Sequence, residues 1–120
     1  MRWMRWKARV EGLKEGERHK MISIDISNDP LRIVAKGHAT GAGLAGANLV
    51  CCAVSTLLYT LLSAADEKGF VSAISMADGY MDLSIRDEPE AACMMRTVVS
   101  GLESLAQQYP ESIKIRKEGG

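Results

Sequence analysis

The sequence has no net charge to offer, since 15 Lys and Arg stand against 15 Asp and Glu. Such a balance gives no reason to expect a phosphate backbone or an anionic membrane as the main partner. It has no disulfide framework: three cysteines are an odd number, and Cys51 and Cys52 are adjacent, a usage that fits a reducing compartment. It offers no uninterrupted apolar run near the roughly 18 residues that span a bilayer. The longest mild stretch, Leu49 to Ala65, is broken by Ser and Thr and lacks the preceding basic region of a signal peptide. The expectation is a soluble, cytoplasmic protein with no membrane partner and no direct nucleic-acid partner.

What is present is ordinary globular material. Apolar residues are 47% and charged residues 25% of 120 positions, which argues against disorder. That length suits one domain, large enough to bury about two-thirds of its unfolded surface without staples. The charge is unevenly spread. Residues 1–20 carry seven Lys or Arg and three Glu, a net of +4, and residues 21–120 carry eight against twelve, a net of −4. Trp3 and Trp6 both lie in the basic segment, and so does His19. A break this sharp at Met21 sets residues 1–20 apart from a domain at 21–120. The segment reads either as a basic arm or, the favoured expectation, as the product of a start codon placed too early. Glu15-Gly16-Glu17 can be encoded by the purine-rich sequence of a ribosome-binding site ahead of Met21.

From Met21 the periodicities follow in order. Ile22, Ile24 and Ile26 alternate with polar residues, a half-buried strand, and Asn28-Asp29-Pro30 turns the chain into a second strand at Leu31 to Ala35. Gly37 to Gly46 is dominated by small residues and reads as a loop. Asn48 is a good N-cap for a helix with Val50, Val54, Leu57, Leu58, Leu61, Leu62 and Ala65 on one stripe, stopped by Gly69. Val71 to Met76, the Asp78-Gly79 turn and Tyr80 to Arg86 make a hairpin. Pro89 opens a second helix that buries Ala92, Met95, Val99, Leu102, Ala106 and Tyr109. Cys93, Met94 and Met95 read there as core filling. Ser112 to Arg116 closes as a strand. The order ββαββαβ, with one apolar side per strand, predicts an α+β two-layer sandwich: a mainly antiparallel sheet with both helices on one face.

The scarce reactive side chains form one suggestive pair. His38 ends a strand at the lip of the glycine-rich loop, and Cys51 falls in the first helical turn if Asn48 is the cap. The unpaired N–H groups of a first turn favour thiolate, and a neighbouring histidine can act as base. Spacing alone leaves two readings open, a nucleophile with its base or a buried cysteine beside a structural histidine. Residues four apart share a helix face, so Cys51 aligns with Ser55 and Cys52 with Thr56. No metal or redox spacing is present. Gly37, Gly41, Gly43 and Gly46 fit neither a P-loop nor a dinucleotide fingerprint. No cofactor is expected.

Gly37-His38-Ala39, a loop, and then Gly46-Ala47-Asn48-Leu49-Val50-Cys51-Cys52-Ala53-Val54-Ser55 resembles the ribosomal-processing cysteine protease family, Prp. Its pattern is Gly-His-Ala, a mobile loop, and Gly-x-Asp-Ile-Val-Cys-Ala-Ala-Val-Ser, and the resemblance extends from Met21 to about Lys117. It implies Cys51 as nucleophile, His38 as partner and Ser55 as supporting hydroxyl, with Asn48 and Gly37 as further supporting residues and Gly41, Gly43 and Gly46 in a substrate loop. It further implies a bacterial endopeptidase, homodimeric, that removes an N-terminal extension from the twenty-seventh large-subunit ribosomal protein, cutting after aromatic residues. Asn48 stands where the family has Asp, the interval from His to Cys is one residue longer, and the loop is mostly Ala and Gly. The competing expectation is a non-catalytic ribosome- or RNA-associated module whose Cys51 is merely buried.

Overall fold

The computed structural model describes residues 21–37 and 43–118. Seven elements follow in the expected order: β1 (Ile22–Asn28), β2 (Leu31–Lys36), α1 (Gly43–Glu67), β3 (Val71–Ala77), β4 (Tyr80–Ile85), α2 (Pro89–Gln108) and β5 (Ile113–Glu118). The sheet order is β3-β4-β2-β1-β5. All neighbours are antiparallel except β1 and β5, which run parallel. The sheet is thus mixed, with one parallel pair closing a mainly antiparallel array.

That topology explains why both helices share a face. The connection β2-α1-β3 steps one way across the sheet, and β4-α2-β5 steps the other way from a strand of opposite direction. Two right-handed crossovers related in this manner must place their helices on the same side. The apolar alternation agrees. Ile22, Ile24, Ile26, Leu31, Ile33, Ala35, Met81, Leu83, Ile85 and Ile113 are all buried beneath α1 and α2. From α1 the core takes Val50, Cys51, Val54, Leu58, Leu61 and Ala65, and from α2 it takes Ala91, Met95, Val98, Val99 and Leu102. The helices meet closely where Leu57 lies over Gly101: a Cβ there would come within 3.2 Å of both Leu57 methyl groups.

Helix ends follow local chemistry. Gly69 takes φ +73°, and the N–H groups of Gly69 and Phe70 bond the carbonyls of Asp66 and Ala65 at 3.0 and 2.8 Å. This pattern caps α1 with a left-handed residue that glycine adopts without a Cβ clash. Pro89 occupies the first turn of α2, where its missing N–H costs nothing.

Three expectations need correction. Asn48 does not cap α1, which begins at Gly43. Without proline or charge, Gly43 to Ala47 continues as helix despite its small side chains. Cys93 is exposed rather than set among core methionines; it lies two positions from both Ala91 and Met95, on the opposite side of α2. Finally, the stretch Leu49–Glu67 (19 residues) is long and apolar enough, by length and composition, to cross a bilayer. Its Ser and Thr residues interrupt apolarity without adding charge, and its buried stripe packs on the sheet as a core helix does.

The sheet's other face is polar. Arg32 donates to both carboxylate oxygens of Asp82 at 2.9 and 2.7 Å, and Arg116 donates to Asp25 at 2.8 Å. The hydrogen bond from Arg32 holds the Asp82 carboxyl below its ordinary range. A carboxyl lowered on folding stabilises above the unfolded value, about 4, and that contribution is lost as pH falls through the folded value. Asp82→Asn should therefore lower stability at pH 7 modestly and leave it nearly unchanged near pH 2. Urea titrations at the two pH values read this directly, and equal losses at both would discount the ion pair.

Candidate active site

Cys51 lies about two helical turns into α1, roughly 12 Å from its start at 1.5 Å per residue. The dipole and the unpaired N–H groups act within the first turn, here Gly43 to Gly46. They therefore do not activate the Cys51 thiol, contrary to the expectation from an Asn48 cap, and they supply no oxyanion donors beside it. The same shift removes Gly43 and Gly46 from the expected substrate loop and places them in helix. His38 and Gly41 lie outside the described residues.

The end of β2 sets the position from which His38 follows. Gly37 is buried and takes φ +104°, a left-handed conformation that favours glycine. Its N–H donates to the carbonyl of Gly79 at 3.0 Å. Gly79, at φ +69°, belongs to the turn between β3 and β4. The turn and the end of β2 therefore fix one another.

On α1, Cys51 is 3% exposed and Ser55, one turn on, is 1% exposed. Both side chains belong to the buried stripe that faces the sheet. Hydroxyls elsewhere on the helices bond the carbonyl four residues back: Thr56 to Cys52, Thr60 to Thr56 and Thr97 to Cys93, at 2.7–2.8 Å. Ser55 does not, and its Oγ has no hydrogen-bond partner among the described residues. Leaving a buried hydroxyl unsatisfied costs about 1–3 kcal/mol, and such groups are rare enough to mark a site. Sequence alone ranked Ser55 by alignment with Cys51; its orphaned hydroxyl is what distinguishes it from Thr56.

Cys52 is half-buried beside Thr56, whose hydroxyl is already taken. Asp25 and Asp82 point from the opposite sheet face and are held by arginines, so neither can orient a histidine beside Cys51. Among the described residues no three His, Cys, Asp or Glu side chains cluster to hold a metal. A cavity of about 590 Å³ opens at the far end of β1, lined by Ile26, Leu31, Met95 and Val99 and by no described residue of α1.

The sequence model of the family described as cysteine protease Prp matches residues 21–114. This chain belongs to the Prp family. As a Prp family member it is a cysteine protease, and the reading as a non-catalytic module falls. Among solved structures, the essential ribosomal processing protease Prp of S. aureus, in complex with a covalently linked product peptide, superposes with a TM-score of 0.71 at 23% identity. The match covers 82% of this chain and 100% of that one. The same S. aureus protease with a substrate peptide gives 0.70 at 24% identity, again over 82% and 100%. SMU.848 from Streptococcus mutans gives 0.63 at 24%, over 82% and 94%. A search of curated proteins returns no match. The Prp architecture, five strands with two helices on one face, is thus the architecture of this chain.

Proposed function

We propose that this chain is the cytoplasmic endopeptidase that trims an N-terminal extension from the twenty-seventh large-subunit ribosomal protein, cutting after aromatic residues, and that it works as a homodimer. The observation that carries the reading is the buried, unpartnered Ser55 hydroxyl on the same helix face as Cys51, in a chain of the Prp family. The Cys51 Sγ attacks the scissile carbonyl carbon. His38 accepts the thiol proton and delivers it to the departing amine. Water, deprotonated by His38, then attacks the thioester, releasing the new carboxylate and restoring the thiol. Because Cys51 is 3% exposed, peptide binding must uncover Sγ before attack. Ser55, whose hydroxyl is unpartnered among the described residues of the free chain, donates one hydrogen bond to the Cys51 sulfur as the thiolate forms.

That last role makes an unusual prediction, in which stability and activity move in opposite directions. Ser55→Ala removes an unsatisfied buried hydroxyl, so the protein should become more stable, by about 1–3 kcal/mol at most. Turnover should fall roughly 3–10-fold, the worth of one neutral hydrogen bond. Denaturant unfolding and cleavage of a peptide that copies the ribosomal extension measure the two. A variant less stable and fully active would make Ser55 a packing residue only. The whole assignment is tested by the same peptide: no cleavage by the wild-type chain, with a scrambled peptide as control, would remove the substrate.

A further inference from the structure

The molecule has one long flank without a charged side chain. From Gly43 to Ala65 in α1 there is no Asp, Glu, Lys or Arg, and from Gly69 through Ala77 there is none again. These two stretches adjoin in space. β3 is the outer strand of the sheet, and α1 reaches it through Tyr59, whose hydroxyl lies 3.9 Å from the Met76 Sδ. Leu57 faces α2, so Tyr59, on the other side of α1, and its helical neighbours Thr56 and Ser63 border β3.

This flank is open. Ser72 to Ser75 are exposed, with Ile74 at 42%, and only 39% of the stretch Leu49–Glu67 is buried. A sheet edge presents a row of backbone groups ready to pair, and isolated edges are usually guarded by Lys, Pro or inward charges. β3 carries none of these. Its one irregularity is a register shift between Val71 and Ala73.

The charges that bracket β3 say what fits. Lys68, which also meets Glu90 of its own chain at 3.2 Å while staying about half exposed, precedes the strand, and Asp78 follows it. A second copy pairing antiparallel through β3, near Ile74, sets the Lys68 end of each chain beside the Asp78 end of the other. Parallel pairing would oppose like with like. A two-fold axis normal to the sheet also keeps all four helices on one face and brings the two α1 flanks together. Depletion of charge is the compositional mark of an interface centre, and a two-fold contact needs a self-complementary patch. A single added peptide strand would cover β3 and leave the flank of α1 bare.

We infer that β3 and the adjoining flank of α1 form the contact between two copies of this chain, joining their sheets into one of ten strands. This places the interface of the homodimer proposed above and rests on that reading. Sedimentation velocity of the full chain across 0.1–100 µM, on the order of the concentrations where such contacts form, tests both. Ile74→Lys sets two like charges near the axis and should raise the dimer dissociation constant at least tenfold, with its far-UV spectrum unchanged. Lys68→Glu and Asp78→Lys should each weaken the dimer, and the double variant Lys68→Glu/Asp78→Lys should restore it. That rescue reads the antiparallel pairing even if Ile74→Lys fails to fold. A wild-type chain that stays monomeric overturns the homodimer itself, and one that pellets with phosphatidylcholine vesicles assigns the flank to lipid. A dimer indifferent to all four variants leaves the homodimer standing and overturns this interface.

Discussion

Cys51→Ala is expected to abolish cleavage of the extension peptide, by about 10⁴-fold or more, because no other described thiol stands where it does. Cys52 is rotated about 100° around the helix, and its neighbouring hydroxyl on Thr56 is spent on a backbone carbonyl at 2.8 Å. Cys93 is exposed on α2. Cys52→Ala and Cys93→Ala should therefore retain most activity. His38→Ala should lose nearly as much as Cys51→Ala, since nucleophile and base act as a unit and their losses do not add. Initial rates on the same peptide decide among these. Activity surviving in Cys51→Ala but lost in Cys52→Ala would transfer the nucleophile to the neighbouring thiol, and indifference to both would remove the thiol mechanism.

The largest effect on stability is expected from Leu58→Ala. Leu58 is fully buried at the centre of α1, one turn beyond Val54 and Ser55, where the helix rests on the sheet. Truncation removes three carbons from a site walled by rigid strands, so little collapse can refill it. A loss of about 3 kcal/mol follows from comparable sites, enough to lower Tm by roughly 12–20 °C in a domain of this size. Leu49→Ala, at 62% exposed, should change stability by no more than about 0.5 kcal/mol. Thermal unfolding of the pair checks the register of α1: comparable losses would mean that the buried stripe has been misplaced.

Strands were legible because their alternation is simple. Ile22-Ser23-Ile24-Asp25-Ile26 states both faces at once, and the structure buries every isoleucine of that run. The parallel pairing of β5 with β1 was not legible, since a strand's pattern is silent about its neighbours. The start of α1 was not legible, because Asn48 has a cap's chemistry and Gly43 and Gly46 just before it look like loop. The ladder of α1 nevertheless continues through Gly46, at a cost of about 1 kcal/mol per glycine. For the site, chain order supplied Cys51 and Ser55 as a pair. It could not supply the unspent hydroxyl of Ser55, which stands out against three threonines of the two helices that satisfy themselves.

The pairing of β1 with β5 also sets a timetable. Ile22 lies opposite Ile113, and the N–H of Ile22 bonds the carbonyl of Ser112 at 2.7 Å, so the first strand waits for the last. At about 5–20 residues per second, the ribosome spends roughly 5–20 s between them. During that interval β1 can form its hairpin with β2, yet its other edge lies bare beside a nascent chain. The sheet beneath Cys51 is finished only once β5 has left the exit tunnel. A chain stalled or truncated before Ile113 carries the complete nucleophile helix and lacks the fifth strand of the floor it rests on. Newly made protease is thereby kept incomplete until Ile113–Glu118 has been made and can reach the free edge of β1.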